Sequence, residues 1–214
     1  MGHHGIRFML DDQHPAVRSD LSDRDQMHKT VMSLFADHQG EQPRNELDVL
    51  WRTDEMFDGT KFLFVTAATS PDPSPLPDGY TLGAVERYDY GKHIDSFNTG
   101  DRIYFKVTAN PTKTKTVDRK TKRIALDEHS AADWFRERQS DLGLETSNLI
   151  VSANPLEKVK RLNRRRNDFT LAATEFEGNA TVTDLDAFTR TLTAGFGRGK
   201  AYGLGLMFAT HSNA

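Results

Sequence analysis

The sequence of 214 residues contains no cysteine, which excludes disulfide bonds and metal sites built on thiolates. It also contains no apolar run near the ~20 residues that a membrane-spanning helix needs. The N-terminal segment MGHHGIRFML lacks the basic and apolar regions of a secretory signal peptide, and we expect its His3 and His4 to be flexible. These absences predict a protein of the cytoplasm.

Positive charge is in slight deficit: the net charge is −3, which argues weakly against nucleic acid as a partner. The acidic excess lies in residues 1–58, which hold 12 acidic and 6 basic side chains. Two later stretches are strongly basic. Residues 106–123 carry seven Lys/Arg with Asp118 as their only acid, and residues 158–166 carry six with no acid. Such dense positive charge either forms a solvated surface or neutralises the phosphates of a nucleic acid.

The first part of the chain is predicted to contain one helix among three strands. Ser22 and Asp25 are typical of a capped helix start, and apolar residues follow on one helical face. Four alternating prolines within residues 69–79 exclude a regular element there. The strands are expected at residues 5–10, 46–54 and 60–68.

The second part again alternates strands with single helices. The strand 101–111 is expected to pair with residues 122–126 across a lysine-rich hairpin. Ser130 and Asp184 are each predicted to cap a helix, and the segment 201–210 is predicted as a closing strand.

Strands interleaved with single helices are typical of α+β layers, in which helices cover one side of a sheet. We therefore predict an α+β protein made of two tandem ferredoxin-like (RRM-like) domains. Their expected boundaries are residues 1–80 and 95–214, with a linker near 69–95. The stacking aromatic residues of a generic RNA-recognition motif are not visible in the sequence.

The C-terminal stretch LTAGFGRGKAYGLGLMFA, residues 192–209, combines five glycines with two cations, Arg198 and Lys200. Glycine permits the close approach of another backbone, and successive free amide N–H groups can bind an anion. A nucleotide-binding loop follows a strand and opens a helix, whereas this stretch follows a helix and opens the last strand. It is either a tight turn in a packed sheet or, as we favour, a loop that contacts RNA backbone.

Three segments in this order, QMHKTVMSLF, VTANPTKTK and VTDLDAFTRTLTAGFGRGKAYGLGLM, together resemble the Cas6e (CasE, Cse3) endoribonuclease family of CRISPR systems. The tail carries the strongest likeness, because the family has a Thr–Asp pair that caps a helix leading into a glycine-rich loop. The resemblance implies a tandem ferredoxin-like fold and cleavage of CRISPR repeat RNA at the 3′ base of its stem-loop. It also implies that the protein remains on the mature crRNA in the Cascade complex, with its Cas7-family backbone subunits. We expect no metal, no cofactor and a monomeric free protein.

The resemblance makes His28 the candidate catalytic residue. Metal-free RNA scission needs a base for the ribose 2′-OH, an acid for the departing 5′-oxygen and stabilisation of charge on the phosphate, and histidine suits either proton transfer. The products would be a 2′,3′-cyclic phosphate and a 5′-hydroxyl. Lys29, Arg24 or a loop cation could stabilise charge, while Asp25 could orient the imidazole or be an ordinary first-turn carboxylate. Some family members have a tyrosine one turn before the histidine, where this chain has Arg24 and Asp25.

The candidate RNA contacts are cations of the two basic stretches and the glycine-rich tail. Their local density suits the phosphates of an RNA stem. If residues 158–166 are helical, Lys158, Arg161 and Arg165 share one face. The full set is Lys113, Lys115, Arg119, Lys120, Lys122, Lys158, Lys160, Arg161, Arg164, Arg165, Arg166, Arg198 and Lys200.

Two other functions remain open at this point. The chain could be a non-catalytic subunit that binds the RNA hairpin in the same complex. It could instead be a ferredoxin-like protein for a small molecule or metal, although no histidine pairs with carboxylates at a recognisable metal spacing. Cleavage of the repeat hairpin in EDTA would distinguish the endoribonuclease from a non-catalytic binding subunit. A steep fall of hairpin affinity with salt would count against the small-molecule or metal protein.

Overall fold

A computed structural model describes the chain at residues 2–35, 40, 42–117, 120–153, 157–159 and 169–212. The chain divides into two compact units. The first includes Met1–Ser96 and Lys200–Gly203, and the second includes Phe97–Lys158, Asp168–Gly199 and Leu204–Ala214. Within the described ranges, every helix is too short or too polar to cross a membrane.

The first unit is a four-stranded antiparallel sheet with helices packed on it. Its sheet order is β2-β3-β1-β4, which is the strand order of a ferredoxin-like βαββαβ fold. The proline-rich segment 69–79 stands where the second helix of that fold would be. The elements are β1 (His4–Leu10), α1 (Pro15–Ser22), α2 (Arg24–Ser33), α3 (Pro43–Glu46), β2 (Leu50–Glu55), β3 (Lys61–Ala67), β4 (Glu86–Asp89) and α4 (Tyr90–Ile94).

The core of this unit follows from the alternation along β1, where Ile6, Phe8 and Leu10 are buried. Because successive side chains of a strand point to opposite faces, these three residues meet the apolar face of the helices. Tyr80, beyond the prolines, is also buried, and its hydroxyl donates a 2.7 Å hydrogen bond to Oδ2 of Asp20. The segment after the prolines is thus part of the packed unit.

The second unit repeats the same topology around another antiparallel sheet. The order β13-β5-β12-β8, with β9 also paired to β12, again gives the ferredoxin-like arrangement, in which the second strand is split into two pieces. This confirms the predicted fold class. The elements are β5 (Arg102–Ala109), β6 (Thr112–Val117), β7 (Lys120–Ala125), α5 (Glu128–Arg136), β8 (Leu144–Thr146), β9 (Ile150–Ala153), β10 (Glu157–Val159), β11 (Phe169–Leu171), β12 (Thr174–Val182), α6 (Leu185–Ala194) and β13 (Met207–His211).

Aromatic packing defines the core of the second unit. Phe135 of α5 stacks on both Phe105 of β5 and Phe176 of β12, with its ring centroid 5.5 and 4.9 Å from theirs. All three side chains are fully buried. Stacked rings of this kind stabilise a core beyond the area that they bury.

The predicted pairing of residues 122–126 with the strand 101–111 is wrong. The partner of β7 is β6, in a separate two-stranded sheet that brings Thr112 opposite Ala125. Pro111 separates β5 from β6, and a proline has no N–H to donate to a sheet. The chain therefore leaves the main sheet at this point and forms a hairpin of its own.

Helix starts are displaced from the predicted caps in two places. Asp23, not Ser22, caps α2 by accepting a 2.9 Å hydrogen bond from the N–H of Asp25, and Asp127 caps α5 by accepting from the N–H of Ser130. In both cases an aspartate competes with the predicted serine, and both residue types are good N-caps. Asp184 caps α6 as predicted, by accepting from the N–H of Ala187.

Two strands are shorter than predicted. The segment 46–54 becomes strand only at Leu50, because Pro43 opens the short helix α3 just before it. In the closing segment 201–210, strand begins only at Met207, and Lys200–Tyr202 form a 3₁₀ turn instead. That turn lies in the first unit, while β13 lies in the second.

Candidate active site and nucleic-acid interface

His28 is held by the packing of its helix. On α2, Met27 and Val31 are buried in the core of the first unit, and this fixes the face on which His28 lies. The imidazole is partly buried, and its Nδ1 is enclosed without a hydrogen-bond partner among the described residues. The other ring nitrogen is therefore the one left to exchange a proton with a ligand.

The surroundings of His28 keep the imidazole neutral. Burial lowers its pKa below the ordinary value of 6.5, the nearby charge of Asp25 opposes this, and Arg44 lowers it further. A neutral imidazole at physiological pH can accept a proton, as a general base must. The charge of Asp25 thus acts on the pKa of His28, and Asp25 is also the acidic residue of the first turn of α2.

The two cations near His28 on the same helix, Arg24 and Lys29, differ in their contacts. Arg24 donates a 2.8 Å hydrogen bond from Nη1 to the backbone carbonyl of Tyr202. Lys29 is exposed to solvent. Arg24 therefore has a structural contact that the sequence did not indicate, whereas Lys29 is open to a ligand.

The glycine-rich tail enters the first unit at Lys200–Tyr202, which packs against α2 and β2. Lys200 is partly buried there. Burial lowers its pKa, Arg44 lowers it further, and Asp48 opposes both. Lys200, predicted as an RNA contact, thus lies in the same unit as Arg44. The charge of Arg44 acts on the pKa of Lys200 and also on that of His28.

Arg44 and Asp48 are site residues that sequence reasoning missed. The N–H of Val49 donates to the carbonyl of Arg44 at 2.9 Å and that of Asp48 to Asn45 at 3.4 Å, which ends α3 in a Schellman motif. Asp48 adopts φ = +50°, the one positive φ outside glycine in the described residues. The signal that could have found this segment is Pro43, a residue favoured at the first position of a helix.

His3 lies at the start of the same unit and is 6% exposed. Its ring centroid is 5.7 Å from that of Tyr90, and burial lowers its pKa while Asp48 raises it. The expectation that His3 and His4 are flexible is therefore wrong. His3 packs against an aromatic ring, and His4 begins β1.

In the second unit, the glycine tail is a tight turn with an exposed tip. Gly205, at φ = +87°, accepts a 2.8 Å hydrogen bond from the N–H of Phe196 and donates one of the same length to the carbonyl of Thr108. A Cβ atom there would lie 2.3 Å from the Phe196 carbonyl oxygen. Gly197 and Arg198 are exposed. Arg198 is thus presented to solvent by a loop whose glycines serve close packing.

The hairpin of β6 and β7, here called the lysine ribbon, has two different faces. Its register pairs Lys113 with Ile124, Lys115 with Lys122 and Val117 with Lys120. Residues directly opposite in an antiparallel pair share a face, and Lys113 and Lys115 lie on one side of the ribbon. Thr112, Thr114 and Thr116 lie on the other side with Arg123. Lys113, Lys115 and Arg123 are exposed, and Arg119 lies outside the described residues.

The second basic stretch is described only at its start. Lys158 lies in β10, which pairs with β11, so the condition for a shared helical face is not met at this residue. The remaining members of the predicted set, Lys160, Arg161, Arg164, Arg165 and Arg166, lie outside the described residues.

In the part of the chain that the structure describes, no three or more histidine and carboxylate side chains are grouped to hold a metal ion. The charges that act on the pKa of His28 are those of Asp25 and Arg44.

Comparison with known proteins gives concordant likenesses. The model of a family described as CRISPR associated protein matches residues 4–209. The chain is 28% identical over 215 residues to the CRISPR-associated endoribonuclease Cse3 of Thermus thermophilus, with 94% of this chain and 96% of that protein covered.

Two solved structures extend this likeness to the fold. The structure of Thermus thermophilus Cse3 bound to an RNA representing a pre-cleavage complex superposes with a TM-score of 0.80 at 25% identity, covering 98% of this chain and 100% of that one. A chain of a pre-nicking CRISPR RNA-guided surveillance complex superposes with a TM-score of 0.71 at 24% identity, covering the same shares of both chains.

Proposed function

Because this chain belongs to the CRISPR-associated protein family, we propose that it is a metal-independent endoribonuclease that recognises the stem-loop of CRISPR repeat RNA. It cleaves at the 3′ base of the stem and remains bound to the mature crRNA. The likeness to the endoribonuclease Cse3 supports this activity, since it extends over nearly the full length of both chains.

The observation that carries the proposal is the state of His28. Its imidazole is partly buried, Nδ1 is enclosed, and the pKa is lowered, so the ring is a neutral base at physiological pH. Arg44 lies near enough to influence it electrostatically, and Arg44 also acts on Lys200. A neutral base associated with a group of cations suits the cleavage of an anionic phosphodiester.

The reaction follows from these groups. His28 accepts the proton of the ribose 2′-OH, the 2′-oxygen attacks the adjacent phosphorus, and the 5′-oxygen leaves with a proton from a second donor. Cations near the reacting phosphate stabilise the charge that develops on its oxygens. The products are a 2′,3′-cyclic phosphate and a 5′-hydroxyl, and no metal ion enters any step.

Binding of the stem is assigned to the exposed cations of the second unit. Lys113 and Lys115 on the lysine ribbon and Arg198 on the glycine loop are exposed to solvent. Each phosphate that they neutralise contributes a salt-sensitive increment of affinity. Retention of the product would place this protein on the 3′ hairpin of crRNA within a Cascade complex of the cytoplasm. The shared fold of the surveillance-complex chain agrees with that place.

The test is cleavage of the cognate repeat hairpin in EDTA, with analysis of the product ends. We expect one cut at the 3′ base of the stem, a 5′ fragment ending in 2′,3′-cyclic phosphate and a 3′ fragment with 5′-hydroxyl. Salt-sensitive binding without any cut would instead favour a non-catalytic hairpin-binding subunit. A cut that needs a divalent ion would contradict the proposed mechanism.

A further inference from the structure

We propose that Arg44 binds the scissile phosphate and stabilises the charge of the transition state beside His28. The inference rests on the proposed endoribonuclease function and adds a residue that its sequence motifs do not contain. Arg44 lies on the short helix α3, within the first unit that also holds α2 and Lys200–Tyr202.

The backbone around Arg44 is fixed by hydrogen bonds at both ends of the α3 turn. Its carbonyl accepts from the N–H of Val49 at 2.9 Å, while its own Nη1 donates to the carbonyl of Val49 at 3.1 Å. Nη2 donates to Oδ1 of Asn45. The guanidinium is therefore held in one place before any ligand binds, which reduces the entropy lost on binding.

The turn Lys200–Tyr202 packs against α2, which carries His28, and against β2, which begins shortly after Arg44's helix α3. The charge of Arg44 lowers the pKa of both His28 and Lys200, so it lies within electrostatic reach of each. Burial lowers the pKa of Arg44 as well, and the carboxylate of Asp48 opposes this. Repulsion between the partly buried charges of Arg44 and Lys200 is unfavourable in the free protein. An anion bound beside them offsets that repulsion by attracting both charges.

Arginine has the chemistry for this position. A guanidinium carries five N–H donors in a planar fork that matches two oxygens of a phosphate. The hydrogen bonds to Val49 and Asn45 occupy two of these donors in the described part of the chain. The others suit the two non-bridging oxygens of the scissile phosphate. By contrast, Arg24 is committed to the carbonyl of Tyr202.

The proposed role transfers no proton. As the 2′-oxygen bonds to phosphorus and the 5′-oxygen departs, negative charge grows on the non-bridging oxygens. Arg44 stays protonated throughout and donates hydrogen bonds to these oxygens, which strengthen as their charge grows. The proton from the 2′-OH goes to His28, as in the proposed mechanism.

The experiment compares single-turnover cleavage with hairpin affinity for R44Q, R44K and the control R18Q, which removes one exposed arginine of α1. Affinity is measured on a hairpin with 2′-deoxy at the cleavage site, which binds but cannot react. We expect R44Q to lose about 10²–10³-fold in cleavage rate, with affinity within a few-fold of wild type. R44K should recover part of the rate, and R18Q should match wild type.

A second variant separates chemistry from folding. In R44G, guanidinium ion added at millimolar concentration should restore cleavage in a saturable manner, because the ion can occupy the place of the missing side chain. Wild-type cleavage should not rise under the same conditions.

Cleavage by R44Q at the wild-type rate would overturn the inference. So would equal losses of rate and affinity without rescue of R44G, because they would make Arg44 a residue of folding or binding. Failure of the wild-type protein to cleave would refute the proposed function instead, and the two failures are therefore distinguishable.

Discussion

Arg24 and Tyr202 are joined by a hydrogen bond of 2.8 Å from the guanidinium Nη1 to the backbone carbonyl. Arg24 stands one turn before His28 on α2, and Tyr202 belongs to the glycine-rich tail nearly 180 residues later. This contact ties the helix of the candidate base to the segment that carries Lys200. The first and last motifs of the sequence thus meet within one unit.

Replacement of Arg24 by alanine is expected to act on structure first. A hydrogen bond to a charged group contributes about 1.5–3 kcal/mol, so R24A should lower the melting temperature by several degrees. Cleavage should fall with it and recover partly at lower temperature, where α2 and the tail regain their packing. Thermal unfolding and cleavage of the same preparations check this. Loss of cleavage at an unchanged melting temperature would make Arg24 a direct charge-stabilising group.

Gly203 is predicted to be intolerant of any side chain. At φ = +73°, its added Cβ would lie 2.5 Å from Cζ3 of the fully buried Trp51. Overpacking and a strained φ together should make G203A less stable by at least about 2 kcal/mol. The matched control is G59A, since Gly59 also has positive φ, at +84°, with nothing within 4 Å of its Cβ position. Equal unfolding midpoints for the two variants in urea would contradict the packing account.

The pH dependence of cleavage should report His28. Because its pKa is lowered in the free protein, the base is already deprotonated at neutral pH, and activity should fall only below the ordinary histidine value of 6.5. The Asp25 charge raises this pKa, so D25N should move the acid limb to still lower pH. Both effects are measured from the rate of single-turnover cleavage at subsaturating protein, because the pH dependence of that rate reports the pKa values of the free enzyme. An acid limb of the cleavage profile above pH 6.5, or a shift of that limb to higher pH in D25N, would contradict the assignment of His28 as the base.

The lysine ribbon is expected to bind RNA with one face only. K113A/K115A should weaken hairpin affinity and reduce the salt slope of log affinity by about one for each phosphate that is no longer neutralised. The control T114A/T116A changes the opposite face of the same strand and keeps the charge. Cleavage at saturating protein should stay unchanged in both. Equal salt slopes for both double variants would place the stem elsewhere.

The sequence predicted those parts of the fold that local chemistry determines. The single apolar face of α2, the cap at Asp184 and the closing β13 follow from residue spacing alone. The ferredoxin-like arrangement is confirmed in both sheet orders. The pairing of strands was harder to predict from the sequence, because it depends on where the chain turns back. At Pro111 the chain leaves β5 to make the lysine ribbon, and a propensity pattern cannot distinguish that from direct pairing.

For a similar reason, the sequence predicted only part of the candidate site. His28 and Lys200 stand in motifs, whereas Asp48 stands in the segment 46–54 that was predicted as strand, and Arg44 stands just before it. Their importance comes from the Schellman motif that places Asp48 at φ = +50° and from the convergence of distant segments. Neither property has a pattern in the linear sequence.

The most direct test of the account compares wild type and H28A on one repeat hairpin in EDTA, with single-turnover cleavage and binding to the 2′-deoxy hairpin measured side by side. Loss of a positioned base costs about 10²–10⁴-fold in rate. We predict a loss of that size in H28A, with hairpin affinity nearly unchanged because His28 contributes no positive charge at neutral pH. H28A cleaving at the wild-type rate would contradict the assignment of His28 as the base.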